Sequence, residues 1–414
     1  MMREFRFMLR DRAAVVWILI AFALSLTAVV MGLNEVKAQH AELAELSRLD
    51  TADRALVLSE QSDWGSAGYY TFHLVSDPPS DLAFAALGQR DVSPWKHRVR
   101  MLALEGQIYD TDAANPDFAL IGRFDFAFVA TLLAPLLVIL LLFDLKSGER
   151  TAGRFEIIEA TGQKGWGRNV WRSRALLRVG SLTFALLIPL FIGGVLSGAS
   201  IISLGVVGLA VALYLLFWTW LTLCVSSVER DGSTNLVWGL GLWLFLGAVM
   251  PAALTSTINA AVPLPDSGDI VLTQREAVND AWDLPKDISM DAFYARHPEW
   301  KGVMDIGESF TWTWYFAFQQ VGDQTVEPLS LAYREGRTRP DELAGWFSLV
   351  SPATALQRVL ERAAETDMQA ASVYEKNVRR YHADLRAFYY PRLFEERTFD
   401  SQQAGESLPA YMPQ

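Results

Sequence analysis

The stretch Ala14-Val15-Val16-Trp17-Ile18-Leu19-Ile20-Ala21-Phe22-Ala23-Leu24-Ser25-Leu26-Thr27-Ala28-Val29-Val30-Met31-Gly32-Leu33 runs twenty positions without an ionisable side chain. As a helix it would rise about 30 Å, the thickness of a bilayer's hydrocarbon core. Four more runs pass the same test, at about 125–143, 177–197, 201–224 and 236–257. Backbone amides find no water in lipid, so each run must satisfy its own hydrogen bonds as a helix, and none shows the two-residue alternation of an outer-membrane strand. The first run is too long for a signal-peptide core and is followed by no clean small-residue cleavage site. Hydrophobic residues make up 51% of the 414, which fits a chain that is partly in lipid.

Basic residues set the expected orientation. Arg3, Arg6, Arg10 and Arg12 precede the first run, and Lys146, Arg150, Arg154, Lys164, Arg168, Arg172 and Arg174 follow the second, so both segments are expected in the cytoplasm. The uncharged Ser197-Gly198-Ala199-Ser200 link then falls on the outer face. Segments 34–123 and 258–414 follow it there, and acidic residues outnumber basic ones in both. The net charge of −11 gives no footprint for nucleic acid, and none is expected as a partner. The single cysteine, Cys224, can form no intrachain disulfide and reads as an inert thiol. Arg3-Glu4-Phe5-Arg6-Phe7-Met8-Leu9-Arg10 mixes bulky apolar side chains with arginines. It fits an interfacial helix against membrane lipid or a plain basic flank.

The expected fold is an α-helical polytopic membrane protein with about five transmembrane helices. Its extracytoplasmic domain, mixed α/β or mainly helical, is built from two segments. The divisions are a cytoplasmic interfacial helix (1–13), a first span (14–33), an extracytoplasmic segment (34–123), spans with a cytoplasmic loop at 144–176 (124–257) and a second extracytoplasmic segment (258–414). Val36, Leu43, Leu46, Leu49 and Leu56 line one side of a helix continuing outward over 34–62. A turn-rich region follows to about 117 and reads as a compact mixed domain. Near the end, Tyr374, Val378, Tyr381, Leu385 and Phe388 form a stripe that needs an apolar partner, either the first outer segment along Leu43, Leu46 and Leu49 or its own segment. Ser351-Pro352 reads as a helix start, with Ser as the cap and Pro at the first helical position. The aromatic run Phe310 to Phe316 reads as core or membrane interface rather than as a stacking surface for substrate.

Several ordered stretches resemble one family. They are Pro78-Pro79, Leu87-Gly88-Gln89-Arg90-Asp91 with Pro94, Asn115-Pro116, Gly122-Arg123-Phe124-Asp125, Pro135-Leu136, Glu149 to Ile158, and Ser351-Pro352-Ala353-Thr354-Ala355-Leu356-Gln357-Arg358 with Thr366-Asp367. Together they resemble type-2 ABC export permeases with a large extracytoplasmic domain, a family associated with multicopper-enzyme maturation. The resemblance implies a permease subunit in a bacterial inner membrane with its large segments periplasmic. Its partners would be a separate ABC ATPase subunit and a second permease, identical or related. It implies no cofactor of its own, since ATP would bind the ATPase. It also assigns ATPase coupling to Glu149, Arg150, Gly153, Arg154, Phe155 and Glu156, with charged ends meeting the ATPase and Phe155 as apolar anchor. The chain departs from the family where such loops read Glu-x-x-x-Gly-Thr-Leu, because Arg154 and Phe155 stand at the Thr-Leu positions and Glu159 replaces an apolar residue. Family members usually close with a sixth span, so either one follows Gln414 or the C-terminus lies outside.

Other chemistry finds little support. Gly162-Gln163-Lys164-Gly165-Trp166-Gly167 has neither the spacing nor the hydroxyl of a P-loop. His40, His73, His97, His297 and His382 share no ligand spacing and read as surface residues rather than a metal site. Gly-x-Ser-x-Gly and His-Glu-x-x-His are both missing, so no catalytic residues and no enzyme activity are expected. Ionisable residues sit at span ends, as Asp125 and Asp144 do, which disfavours a proton relay. The rival from another class is a membrane receptor or scaffold whose outer segments bind a ligand or partner.

Overall fold

The computed structural model describes residues 2–109, 124–161, 170–228, 231–261, 265–347 and 351–413. Five of its helices are long and apolar enough to cross a membrane. After α1 (Met2–Arg10), α2 runs unbroken from Arg12 to Glu60, capped by the Asp11 carboxylate on the Ala14 amide at 3.3 Å. The second span begins at Phe126, passes a π-helical turn at Val129–Leu133 and runs on to Leu142. The third and fourth cover Val170–Ser197 and Ile201–Val225, and the fifth covers Gly232–Thr257.

Side-chain contacts fix how the spans run. Asp11 meets Arg178 and Ser25 donates to the Leu186 carbonyl at 2.7 Å, so the first and third spans lie parallel. Asn235 reaches the Phe143 carbonyl and the Trp243 indole donates to the Leu132 carbonyl at 2.9 Å, which sets the fifth span antiparallel to the second. The N-terminal helix and the segment after the second span therefore share one end of the bundle, the basic end. Residues 34–109, 265–347 and 351–413 form a head at the other.

The head is mainly helical. Its only described strands, β1 (His73–Ser76) and β2 (Lys96–Val99), pair antiparallel with His73 opposite Val99. Both outer segments contribute to one core. The stripe on the helix Met368–Phe394 packs both ways: on the first segment at residues 64–108 rather than along Leu43, Leu46 and Leu49, and within its own segment, where Tyr381 meets Pro409 and Tyr411. Phe388 meets the Trp64 ring edge-on at 5.8 Å, and the Tyr374 hydroxyl donates to the Val75 carbonyl at 3.1 Å. Leu49 and Leu56 stay exposed on the projecting part of α2. Within the aromatic run Trp314 and Phe316 are core, while Phe310 is half exposed. The polar stretch after 265 forms the helices Ser267–Asp283 and Lys286–Arg296, and the aromatic run opens a 36-residue helix, Trp312–Phe347.

Candidate functional site: the head junction and the basic-end loop

Four of the family-like stretches, around Pro78, residues 87–91, Asp125 and residues 351–367, meet where the head joins the spans. Leu82 to Leu87 is an apolar loop buried to the last residue, lodged among the spans with Phe84 fully enclosed. Gly32 of α2 makes this possible, because a Cβ there would stand 2.0 Å from the Phe84 carbonyl oxygen. At its far end the Leu87 amide donates to the Asp125 carboxylate at 3.0 Å, and the other oxygen of that carboxylate caps the second span by accepting from Phe128 at 2.8 Å.

Gly88 follows with φ of +49°, and a Cβ on it would sit 2.5 Å from the Thr366 carbonyl oxygen. Glycine alone suits both conditions. That carbonyl accepts from the Gln89 amide at 2.7 Å, and the Thr366 hydroxyl returns a bond to the Ala86 carbonyl at 2.9 Å. Arg90 is buried, with Nε on Gln39 of α2 at 3.1 Å, one terminal nitrogen on the Asp77 carboxylate and the other on the Asp77 carbonyl, both at 2.8 Å. Half-buried Asp91 closes the 3₁₀ turn Gly88–Asp91. Ser351, fully buried, caps the helix Pro352–Ala363 on the Thr354 amide. That helix buries Leu356 and Leu360 against the spans, and it packs on the fourth span and the start of the second. Gly122, Arg123 and Asn115-Pro116 lie outside the described residues.

At the basic end two short helices, Ser147–Thr151 and Phe155–Thr161, are joined through Gly153 at φ +67°. Glu149 turns inward, holding Arg154 at 2.7 Å and Arg174 at 3.0 Å, and Arg174 also pairs with Glu4 of α1 at 2.8 Å. Phe155 stacks on Trp171 with ring centroids 5.4 Å apart, and the Arg150 guanidinium lies 4.6 Å from its centroid. Glu156 and Ile157 face outward, with Ile157 64% exposed. Of the six residues picked from the sequence, then, Glu149, Arg150, Arg154 and Phe155 have internal partners, Arg154 while still exposed, whereas Gly153 and Glu156 lie exposed. Exposed Ile157 was missed, and its only signal was an isoleucine beside charges in a basic loop. The Gly162–Gly167 run lies outside the described residues.

Three of the five histidines are buried in the head rather than on the surface. Burial lowers His73 to about 3, and it also lowers His97 and His382. His73 faces the Tyr381 hydroxyl at 3.1 Å and His97 the Tyr374 hydroxyl at 2.7 Å, while His382 meets the Arg100 carbonyl at 3.1 Å. Among the described residues no group of three His, Cys, Asp or Glu side chains is placed to hold a metal.

A family model described as a domain of unknown function, DUF3526, matches residues 270–414, which lie within the second head segment. No curated protein and no solved structure matches the chain.

Proposed function

We propose that this chain is the transmembrane permease subunit of an ABC transporter, coupling ATP hydrolysis by a separate ATPase subunit to export or extracytoplasmic handling of a substrate. On this reading it sits in a bacterial inner membrane as one of two permease subunits, with the basic end cytoplasmic and the head periplasmic. The observation that carries it is the construction of the 147–161 element. A helical pair is braced through Glu149 and Arg174 to both α1 and the third span, yet it presents Glu156 and Ile157 to solvent. An exposed apolar residue near the exposed carboxylates of Glu156 and Glu159 on a braced element suits a docking surface, since a small apolar anchor with a polar rim is how partner contacts concentrate their energy. The bracing means that a push on the element reaches α1 and the third span at once. The second span in turn is capped by Asp125, which accepts from the 82–87 plug loop of the head.

The test is purification of the tagged chain in mild detergent and identification of co-purifying proteins. An ATPase subunit should accompany the wild type. Ile157→Asp with Glu156→Arg, both on exposed side chains, should release it while the permease stays folded. Retention of the ATPase by that double variant would remove the 147–161 element from the coupling role. Absence of any ATPase from the wild-type preparation would favour a receptor or scaffold.

A further inference from the structure

Three helices at the basic end enclose a groove of about 610 Å³ that has no ionisable side chain in its lining and Ser181 as its one hydroxyl. α1 supplies Phe5, Met8 and Leu9, which share one face of that helix. The first span supplies Val15, Leu19 and Phe22, and the third supplies Leu176, Gly180 and Phe184, again one face each. Leu9, Leu19, Leu176 and Phe184 are more than half exposed, so the groove is open along its side. Gly180 is its floor, since a Cβ there would meet nothing within 4 Å. From Leu176 to Ile188 the groove follows the third span for about 18 Å at 1.5 Å per residue. One leaflet's share of a hydrocarbon core of roughly 30 Å is about 15 Å, so the groove has the depth of a single lipid tail.

The corner that closes the groove is cationic, and its charge is not cancelled from within. Asp11 takes an extended conformation with ψ of 97°, which breaks the chain between α1 and α2. The carboxylates of this corner, Glu4 and Asp11, are engaged by Arg174 and Arg178 of the third span, each at 2.8 Å. Arg6, Arg10 and Arg12 are left exposed, and none of them makes an ion pair among the described residues. Arg6 and Arg10 each follow a groove residue, Phe5 and Leu9, and so border the apolar face of α1. Arg12 stands three residues before Val15 and continues the Val15, Leu19 and Phe22 face to the end of the first span. Guanidinium groups offer forked donors to phosphate oxygens, and the slot beside them accepts only hydrocarbon.

We infer that this groove is a site for one anionic phospholipid, with a tail lying over Gly180 and the phosphate among Arg6, Arg10 and Arg12. Charge complementarity selects the occupant. A zwitterionic lipid would fill the slot equally well, but it brings no net charge to three guanidinium groups that have no carboxylate of their own. The bound lipid would join α1 to the first and third spans, the elements that the Glu4–Arg174 and Asp11–Arg178 pairs join on their inner side. The inference needs only that the spans lie in a bilayer. It does not rest on the transporter reading, because a receptor could hold the same lipid.

The experiment is native mass spectrometry of the full chain, stripped of lipid in neutral detergent and titrated separately with dimyristoyl phosphatidylglycerol and dimyristoyl phosphatidylcholine. The two share their tails and differ in net charge. The first phosphatidylglycerol should bind at least about tenfold more tightly than the first phosphatidylcholine, and the preference should shrink as ionic strength rises. Gly180→Leu fills the floor without touching a charge and should weaken the first phosphatidylglycerol at least about tenfold. Arg6→Gln with Arg10→Gln and Arg12→Gln should bring phosphatidylglycerol down to the level of phosphatidylcholine, whose own binding stays as in the wild type. If the triple variant fails to insert, Gly180→Leu and the salt series decide. Equal affinity for the two lipids, or a first phosphatidylglycerol that Gly180→Leu leaves unchanged, would overturn the inference. So would a dimer without bound lipid that Gly180→Leu dissociates, which would give the groove to a second copy of the chain. ATPase association is not read in any arm, so failure here is separate from failure of the proposed function.

Discussion

Arg90 shows how much one side chain can hold. Its guanidinium joins α2 through Gln39 to the turn at Asp77, and the Asp77 carboxylate is only partly exposed. Arg90→Ala leaves Gln39 and Asp77 without their partner and should cost about 2–3 kcal/mol, seen as a lower Tm of the detergent-solubilised protein. Arg90→Lys should recover only part of the loss, because an ammonium cannot reproduce the fork. The buried histidines make a second prediction. His73, His97 and His382 have folded pKa values below the ordinary 6.5, so the unfolded chain binds more protons and stability falls as pH drops below 6.5. Each histidine should contribute a loss of about 1.4 kcal/mol per pH unit while only its unfolded form is protonated. Asp77 and Asp323, raised by burial, act in the opposite direction. The histidine contribution is read between pH 6.5 and 5. Thermal unfolding across that range should steepen with acidification, and His73→Gln should flatten it.

Among the elements, those with a repeating apolar pattern were legible in the sequence. The spans announced themselves by length without charge, and the Tyr374 to Phe388 stripe by its four-three spacing. What the stripe packs on was not legible. Its partners Trp64, Val75 and His97 lie some three hundred residues earlier, and no local pattern encodes a meeting at that distance. The plug loop had one weak signal, the apolar run Leu82 to Leu87 between Asp81 and Gly88, too short to separate from a strand or a core turn. The family-like residues of the candidate site were legible as a set, but not their convergence, since Gly88 and Thr366 touch only after folding. The histidines misled because a solitary histidine carries no periodic information. Two predictions belong to this scale. Gly32→Ala drives a methyl into the Phe84 backbone and should destabilise the plug by about 1–3 kcal/mol, measured as a lowered Tm. Phe388→Ala empties a site between Trp64 and Arg392 and should cost about 3 kcal/mol in the head while membrane insertion proceeds normally, as checked by carbonate extraction.

For the whole molecule, the contacts define two ends, which the proposed topology puts on opposite sides of the membrane. With exposed Cys224 replaced by serine, cysteines placed at Glu60 and Ala160 should react with a membrane-impermeant maleimide from opposite sides of the membrane. Labelling of both from one side would reverse or break the arrangement. The single helix of 49 residues, Arg12–Glu60, joins those ends without a hinge. Its length is about 73 Å at 1.5 Å per residue, far more than a bilayer needs. A rod of that kind acts as a lever. Pivoted at the basic end, where Asp11 grips Arg178, a tilt of about 5° would swing its far tip by roughly 6 Å, more than one helical turn of travel.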